Sequence, residues 1–224
     1  MTLKKSFENW QKLLGHSGYR FSLFLSLVFL VAGFFLYREV ISYIDSLPNA
    51  KAVGDLLLDV LPIVDLRYIY IYGILVGMLV LVFYELYYRP DLIPFSLKFF
   101  VAVFVARSIF ISLTHLGPPQ GFFITAFSAD YGGWPLNHMM HSNDLFFSGH
   151  VAYPFMAALI TLHKKPLFYF FAVLSVVMGF TVLLMRIHYS IDVFAAYFIV
   201  FALYHIVKHF FGETDLAFKH YLTK

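Results

Sequence analysis

The sequence predicts an all-α protein that crosses a membrane several times, and three observations lead there. Apolar residues make up 61% of the chain against 13% charged, and 28 Phe with 16 Tyr exceed what one soluble core of 224 residues could hide. Runs of roughly 17–25 predominantly apolar residues, the length a helix needs to cross a bilayer, recur six times. Lys and Arg divide unevenly between the two sets of intervening loops. With no cysteine in the chain, a disulfide framework and a thiolate metal site are both excluded. A formal charge of +3 is too small to suggest nucleic acid.

In chain order, residues 1–20 form an N-terminal segment. Within it, Phe7-Glu8-Asn9-Trp10-Gln11-Lys12-Leu13-Leu14 places apolar residues at helical spacing with lysine opposite, which suits a short interfacial helix. The six spans lie near Phe21–Tyr37, Arg67–Tyr88, Ser96–His115, Phe146–Leu162, Leu167–Met185 and His188–Phe210. Together they define one domain over 21–211, followed by a tail over 212–224. No small-residue cleavage site follows the first apolar run, so a retained helix is expected rather than a signal peptide. Asp55 and Asp59, at i and i+4, are expected to form a solvated face of a loop helix. Glu85 is expected to snorkel or to pair with Arg89 at the end of its span.

Eleven basic residues (Lys4, Lys5, Lys12, Arg20, Arg89, Lys98, Lys164, Lys165, Lys208, Lys219, Lys224) fall at the ends that share a side with both termini. Five (Arg38, Lys51, Arg67, Arg107, Arg186) fall at the other. Both termini are therefore expected in the cytoplasm.

Two polar islands interrupt the apolar chain: Asn143-Asp144-Leu145-Phe146-Phe147-Ser148-Gly149-His150 and Arg186-Ile187-His188-Tyr189-Ser190-Ile191-Asp192. Histidine and aspartate inside lipid are costly and ask for a chemical reason. His188 and Asp192, four apart, share a helix face as a base and its orienter. The Gly149-His150 pair precedes an apolar run, where a helix start can present N–H groups to an anion. Between His150 and His188 the chain crosses the membrane twice, so both islands emerge on one side, the non-cytoplasmic one. Asp65 lies on the same side, as does the loop from Gly117 to Asn143, which could roof the site.

Ser-Gly-His combined with His-x-x-x-Asp and nearby arginines resembles the type 2 phosphatidic acid phosphatase superfamily of membrane lipid phosphatases and phosphotransferases. The likeness is closest to its sphingomyelin synthase branch. Asp144, Ser148, Gly149 and His150 match that branch's first motif, and His188-Tyr189-Ser190-Ile191-Asp192-Val193 its second. Leu61-Pro62-Ile63-Val64-Asp65 and the stretch from Arg107 to Leu116 are weaker upstream echoes. Ser142, Asn143, Val151 and Gly117 depart from the branch's residues, and the lysine-to-Arg-Pro signature of the phosphatidate phosphatases is not evident.

The resemblance implies a metal-free, cofactor-free reaction on a membrane phospholipid. His188, held by Asp192, would attack phosphorus to give a phosphohistidine. His150 would act as acid and then base, and Asp144 would orient it or the acceptor. Ser148, Gly149, Arg186 and Arg107 would bind the phosphoryl oxygens, with Tyr189 and Asp65 as further substrate-binding candidates. The acceptor would be a lipid alcohol such as ceramide or diacylglycerol, or water.

Two other readings stay open on the residues. His138, His141 and Asp144, spaced by three, with His150 and His188 in reach, could hold a metal for a water-activating hydrolase. A non-enzymatic lipid transporter could line a path with the same polar groups. Its path would favour mid-span positions, whereas these residues cluster at one membrane face.

Overall fold

The computed structural model describes residues 2–47, 51–122 and 145–223. The chain is an all-α polytopic membrane protein. Its elements are α1 (Leu3–Gly15), α2 (Ser17–Asp45), α3 (Leu56–Val60), α4 (Arg67–Tyr88), α5 (Ile93–Leu113), α6 (Gly149–Ile160), α7 (Lys165–Leu184), α8 (Ser190–Asp215) and α9 (Lys219–Thr223). Among the described residues five stretches, at α2, α4, α5, α7 and α8, are long and apolar enough to cross a membrane. Large apolar side chains such as Phe24, Phe35, Phe83, Val173, Phe180 and Phe198 point outward, as lipid requires and water would not tolerate.

The fourth expected span differs. Its helix, α6, has only 12 residues, about 18 Å of rise against a hydrocarbon core of about 30 Å. The reason lies at its start. Ser148 uses its backbone N–H on the Asp192 carbonyl (3.2 Å), so the chain there is committed to a neighbouring element and the helix begins only at Gly149. At the other end Thr161 turns the chain into the polar His163-Lys164-Lys165 link.

Short as it is, α6 is the axis of the fold. It packs against α4, α5, α7 and α8, and nine of its residues are buried, with Ala152, Ala157 and Ala158 allowing close approach. Antiparallel to it, α7 donates from Ser175 Oγ to the Val151 carbonyl (2.9 Å), which sets the start of α6 level with the middle of α7. The end of α7 at Leu184 lies about 13 Å further along its axis. The following turn folds back inward, with the N–H groups of Ile187 (2.9 Å) and His188 (3.4 Å) both reaching the Val182 carbonyl. Both islands thus meet at depth, not at the rim of the bundle.

Both termini share the opposite face. There α1 covers the open end of α4: Ser6 Oγ and Trp10 Nε1 donate to the carbonyls of Tyr87 and Leu86, which have no intrahelical partner. Leu13, Tyr19 and Phe218 form a small cluster beside them. Lys98, Asp215 and Ser22 join α5, α8 and α2 in a buried charged knot.

Candidate active site

Every group at the site is positioned by a helix end. In the first turn of α8, the Asp192 carboxylate accepts the Tyr189 N–H (3.0 Å), closing the helix start, and faces His188 Nδ1 at 3.3 Å with the same oxygen. Asp192 is fully buried and His188 nearly so. An Nδ1–H directed at the carboxylate leaves the Nε2 lone pair available, the tautomer a nucleophilic imidazole requires.

Across from this pair, His150 occupies the first turn of α6, its ring stacked on Tyr70 of α4 at 3.9 Å between centroids. The charges acting on it are those of His188 and Arg107. Arg107, buried near the end of α5, lies over the Phe147 ring and against Gly149. A Cβ at Gly149 would stand 3.4 Å from the Arg107 Cζ and 3.3 Å from the Tyr153 ring, so glycine permits this close approach. The first bond within α6 runs from Ala152 N–H to the Ser148 carbonyl (3.0 Å). The N–H groups of Gly149, His150 and Val151 precede it and carry the positive end of the helix dipole.

Three buried polar atoms here find no hydrogen-bond partner among the described residues: Ser148 Oγ, Arg186 Nε and Asp192 Oδ1. Native interiors seldom leave such groups idle, and two of the three can donate to an anion. Arg186 adopts φ 54°, a left-handed conformation costing roughly 1 kcal/mol in a residue with a side chain. Its Nη2 donates to the Leu61 carbonyl (3.2 Å).

The segment 51–66 covers the site and is tied down by contacts that the sequence did not foretell. Val64 N–H donates to the Leu184 carbonyl (2.9 Å). Asp55, expected on a solvated face, instead joins two helix starts. Its Oδ1 accepts the N–H groups of Leu57 (3.0 Å) and Leu58 (3.1 Å), and its Oδ2 that of Ser190 (2.6 Å). Burial pushes the Asp55 carboxyl up, but these donors outweigh it and hold it below its ordinary range. An Asp directly before Leu56-Leu57-Leu58 is an N-cap signature, so one of its two roles could have been found in the sequence. For Tyr70 no sequence signal exists.

Two of the sequence-derived candidates are engaged differently. Tyr189 is buried, and its hydroxyl donates to the Gly117 carbonyl (2.8 Å) while accepting the Val53 N–H (3.1 Å), pinning two covering segments together. Asp65 pairs at the exposed start of α4 with Arg67 (2.6 Å), whose hydrogen bonds hold its carboxyl below the usual range. Asp144 lies outside the described residues, as do His138 and His141. Among the described residues no three His, Cys, Asp or Glu side chains stand close enough to hold a metal ion.

The arrangement therefore combines an oriented imidazole, a second imidazole, a helix start and two guanidinium groups among buried apolar side chains. No curated protein and no solved structure matches the chain significantly. The family model described as PAP2 superfamily C-terminal matches residues 141–210, a stretch that contains both islands. That stretch, about a third of the chain, is therefore similar to the C-terminal part of the type 2 phosphatidic acid phosphatase superfamily.

Proposed function

We propose that the protein moves a phosphoryl or phospho-headgroup from a membrane phospholipid to a lipid alcohol or to water through a phosphohistidine. The similarity of residues 141–210 to the PAP2 superfamily supports the general chemistry, lipid phosphate hydrolysis or transfer. The observation that carries the finer reading is the His188–Asp192 pair, set opposite His150 at the start of α6 with Arg107 against Gly149.

In this scheme His188 Nε2 attacks phosphorus and the phosphate ester P–O bond breaks, while His150 in its protonated form gives its proton to the departing alkoxide. The neutral His150 then takes a proton from the acceptor hydroxyl. That oxygen attacks phosphorus and the P–N bond to His188 breaks, restoring both imidazoles. Asp192 stabilises the charge that develops on His188. Arg107, Arg186, Ser148 and the first N–H groups of α6 hold the phosphoryl oxygens, positioning being most of the catalysis in such transfers. The orientation proposed is termini in the cytoplasm and site on the other side. The likeness of the two islands to sphingomyelin synthase supports ceramide or diacylglycerol as acceptor.

Mass spectrometry of purified protein incubated with mixed phospholipids, with and without ceramide, tests the reading. Headgroup release should occur in chelator, and added ceramide should divert the headgroup to a ceramide conjugate. No diversion would leave water as the acceptor, and loss of activity in chelator would favour a metal-dependent hydrolase. His188→Ala should abolish both turnover and phosphoenzyme. His150→Ala should still accept phosphate from a donor with a good leaving group and hold the adduct for longer, since leaving-group protonation matters least there. A folded His188→Ala protein that still trapped phosphate would overturn the mechanism.

A further inference from the structure

Below the site, between α2, α4, α5, α6 and α7, lies a partly open cavity of about 240 Å³ whose walls are almost entirely apolar. It starts at Tyr153, one turn past His150, and runs toward the face that carries both termini, where Glu85 and Ser96 close it. The sequence suggests Arg89 as the partner of Glu85, but Arg89 is taken by Asp91 through three hydrogen bonds. Glu85 is 8% exposed and Ser96 6%; neither Glu85 Oε1 nor Ser96 Oγ has a hydrogen-bond partner among the described residues.

A carboxyl oxygen left without a partner in an apolar interior is expensive, and an apolar recess of this size is better filled than bare. One class of molecule relieves both: an apolar chain with a small polar end that donates a hydrogen bond. The volume suits a single chain of roughly eight water-sized groups, too narrow for a two-chain lipid to enter whole. Near-absence of other polar lining disfavours a charged head.

We infer that this cavity binds one chain of a long-chain alcohol or lipid alcohol, with its hydroxyl donated to Glu85 and its tail pointing toward Tyr153. The polar end cannot be a reacting group. Tyr70, which stacks on His150, and Glu85 lie on the same helix and are separated by fifteen residues, about 22 Å. The site is therefore distinct from that of phosphoryl transfer and does not depend on the proposed mechanism.

The test uses the full chain in lipid nanodiscs and 1-dodecanol carrying a mid-chain diazirine, with labelled peptides mapped by mass spectrometry. Labelling should fall on the α4 stretch around Met78 and Leu81 and the α6 stretch around Met156. Unlabelled dodecanol should compete and dodecane should not. Loss of one hydrogen bond in Glu85→Leu should weaken labelling by about tenfold, whereas Glu85→Gln, which keeps an acceptor oxygen, should retain most of it. Ala157→Phe, which fills the cavity without touching the polar pair, should also block it. His188→Ala should label like the unmodified protein, so failure here and failure of the catalytic reading are separable. Equal competition by dodecane, or labelling unaffected by both Glu85→Leu and Ala157→Phe, would overturn the assignment.

Discussion

Asp192 shows how much one side chain carries. One of its oxygens both closes the start of α8 and orients His188, while the other is buried without a partner among the described residues. In Asp192→Asn an amide oxygen in the place of Oδ2 can keep both the helix cap and the contact to the imidazole, but the neutral amide no longer stabilises the positive charge that His188 gains on attack. The variant should fold with a melting temperature near that of the parent yet turn over about 10²–10⁴-fold more slowly, as measured by headgroup release. Loss of fold with loss of rate would instead make Asp192 chiefly a cap. The pairing was legible because i and i+4 on a helix are neighbours whatever surrounds them. Tyr70 was not, because its stacking on His150 depends on how α4 lies against α6, which no local spacing encodes. Glu85 misled for the converse reason: Arg89 stands at the right spacing, but it lies beyond the last turn of α4, where Asp91 takes it.

Among the elements, the long apolar helices followed from length and composition, whereas the extent of α6 did not. An apolar run from Phe146 to Leu162 satisfies a hydropathy criterion, yet the helix is limited to Gly149–Ile160 by the non-local bond from Ser148 to Asp192. The covering segment 51–66 was equally hidden, since its attachments are backbone groups meeting partners far away in the chain. Asp55 is its main fastener, and a cap of this kind contributes about 1 kcal/mol. Because its folded carboxyl is held below the ordinary range, that contribution is present above the unfolded value, near 3.9, and is lost as pH falls through the depressed folded value. Asp55→Asn should therefore lower the melting temperature at pH 7, and the difference should shrink as pH drops below the ordinary carboxylate range. It should also reduce turnover, because Ser190 and with it the start of α8 lose an anchor. A difference that stayed constant to low pH would show that the charge of Asp55 contributes nothing.

At the scale of the molecule, the helix termini sort into two groups. The starts of α4, α6 and α8 and the end of α5 gather around the histidines, while the end of α4, the start of α5 and both termini gather at the other face. The antiparallel run of α6 and α7 returns the chain to the end it left, and the shared end of His150 and His188, expected from the sequence, follows from that return. Depth was not expected, because it depends on α6 starting level with the middle of α7. What the fold leaves to be measured is which face looks at the cytoplasm, and the eleven-to-five division of Lys and Arg bears on it. With no native cysteine, single cysteines at exposed Val60 and at Lys164 give clean reporters on opposite faces. In intact cells a membrane-impermeant maleimide should modify the cysteine at position 60 and spare that at 164 until the membrane is opened. The reverse pattern would put the histidines on the cytoplasmic side and redirect the search for the donor lipid to that leaflet. Modification of both in intact cells would break the expected number of crossings, and with it the argument that one membrane face supplies both donor and acceptor.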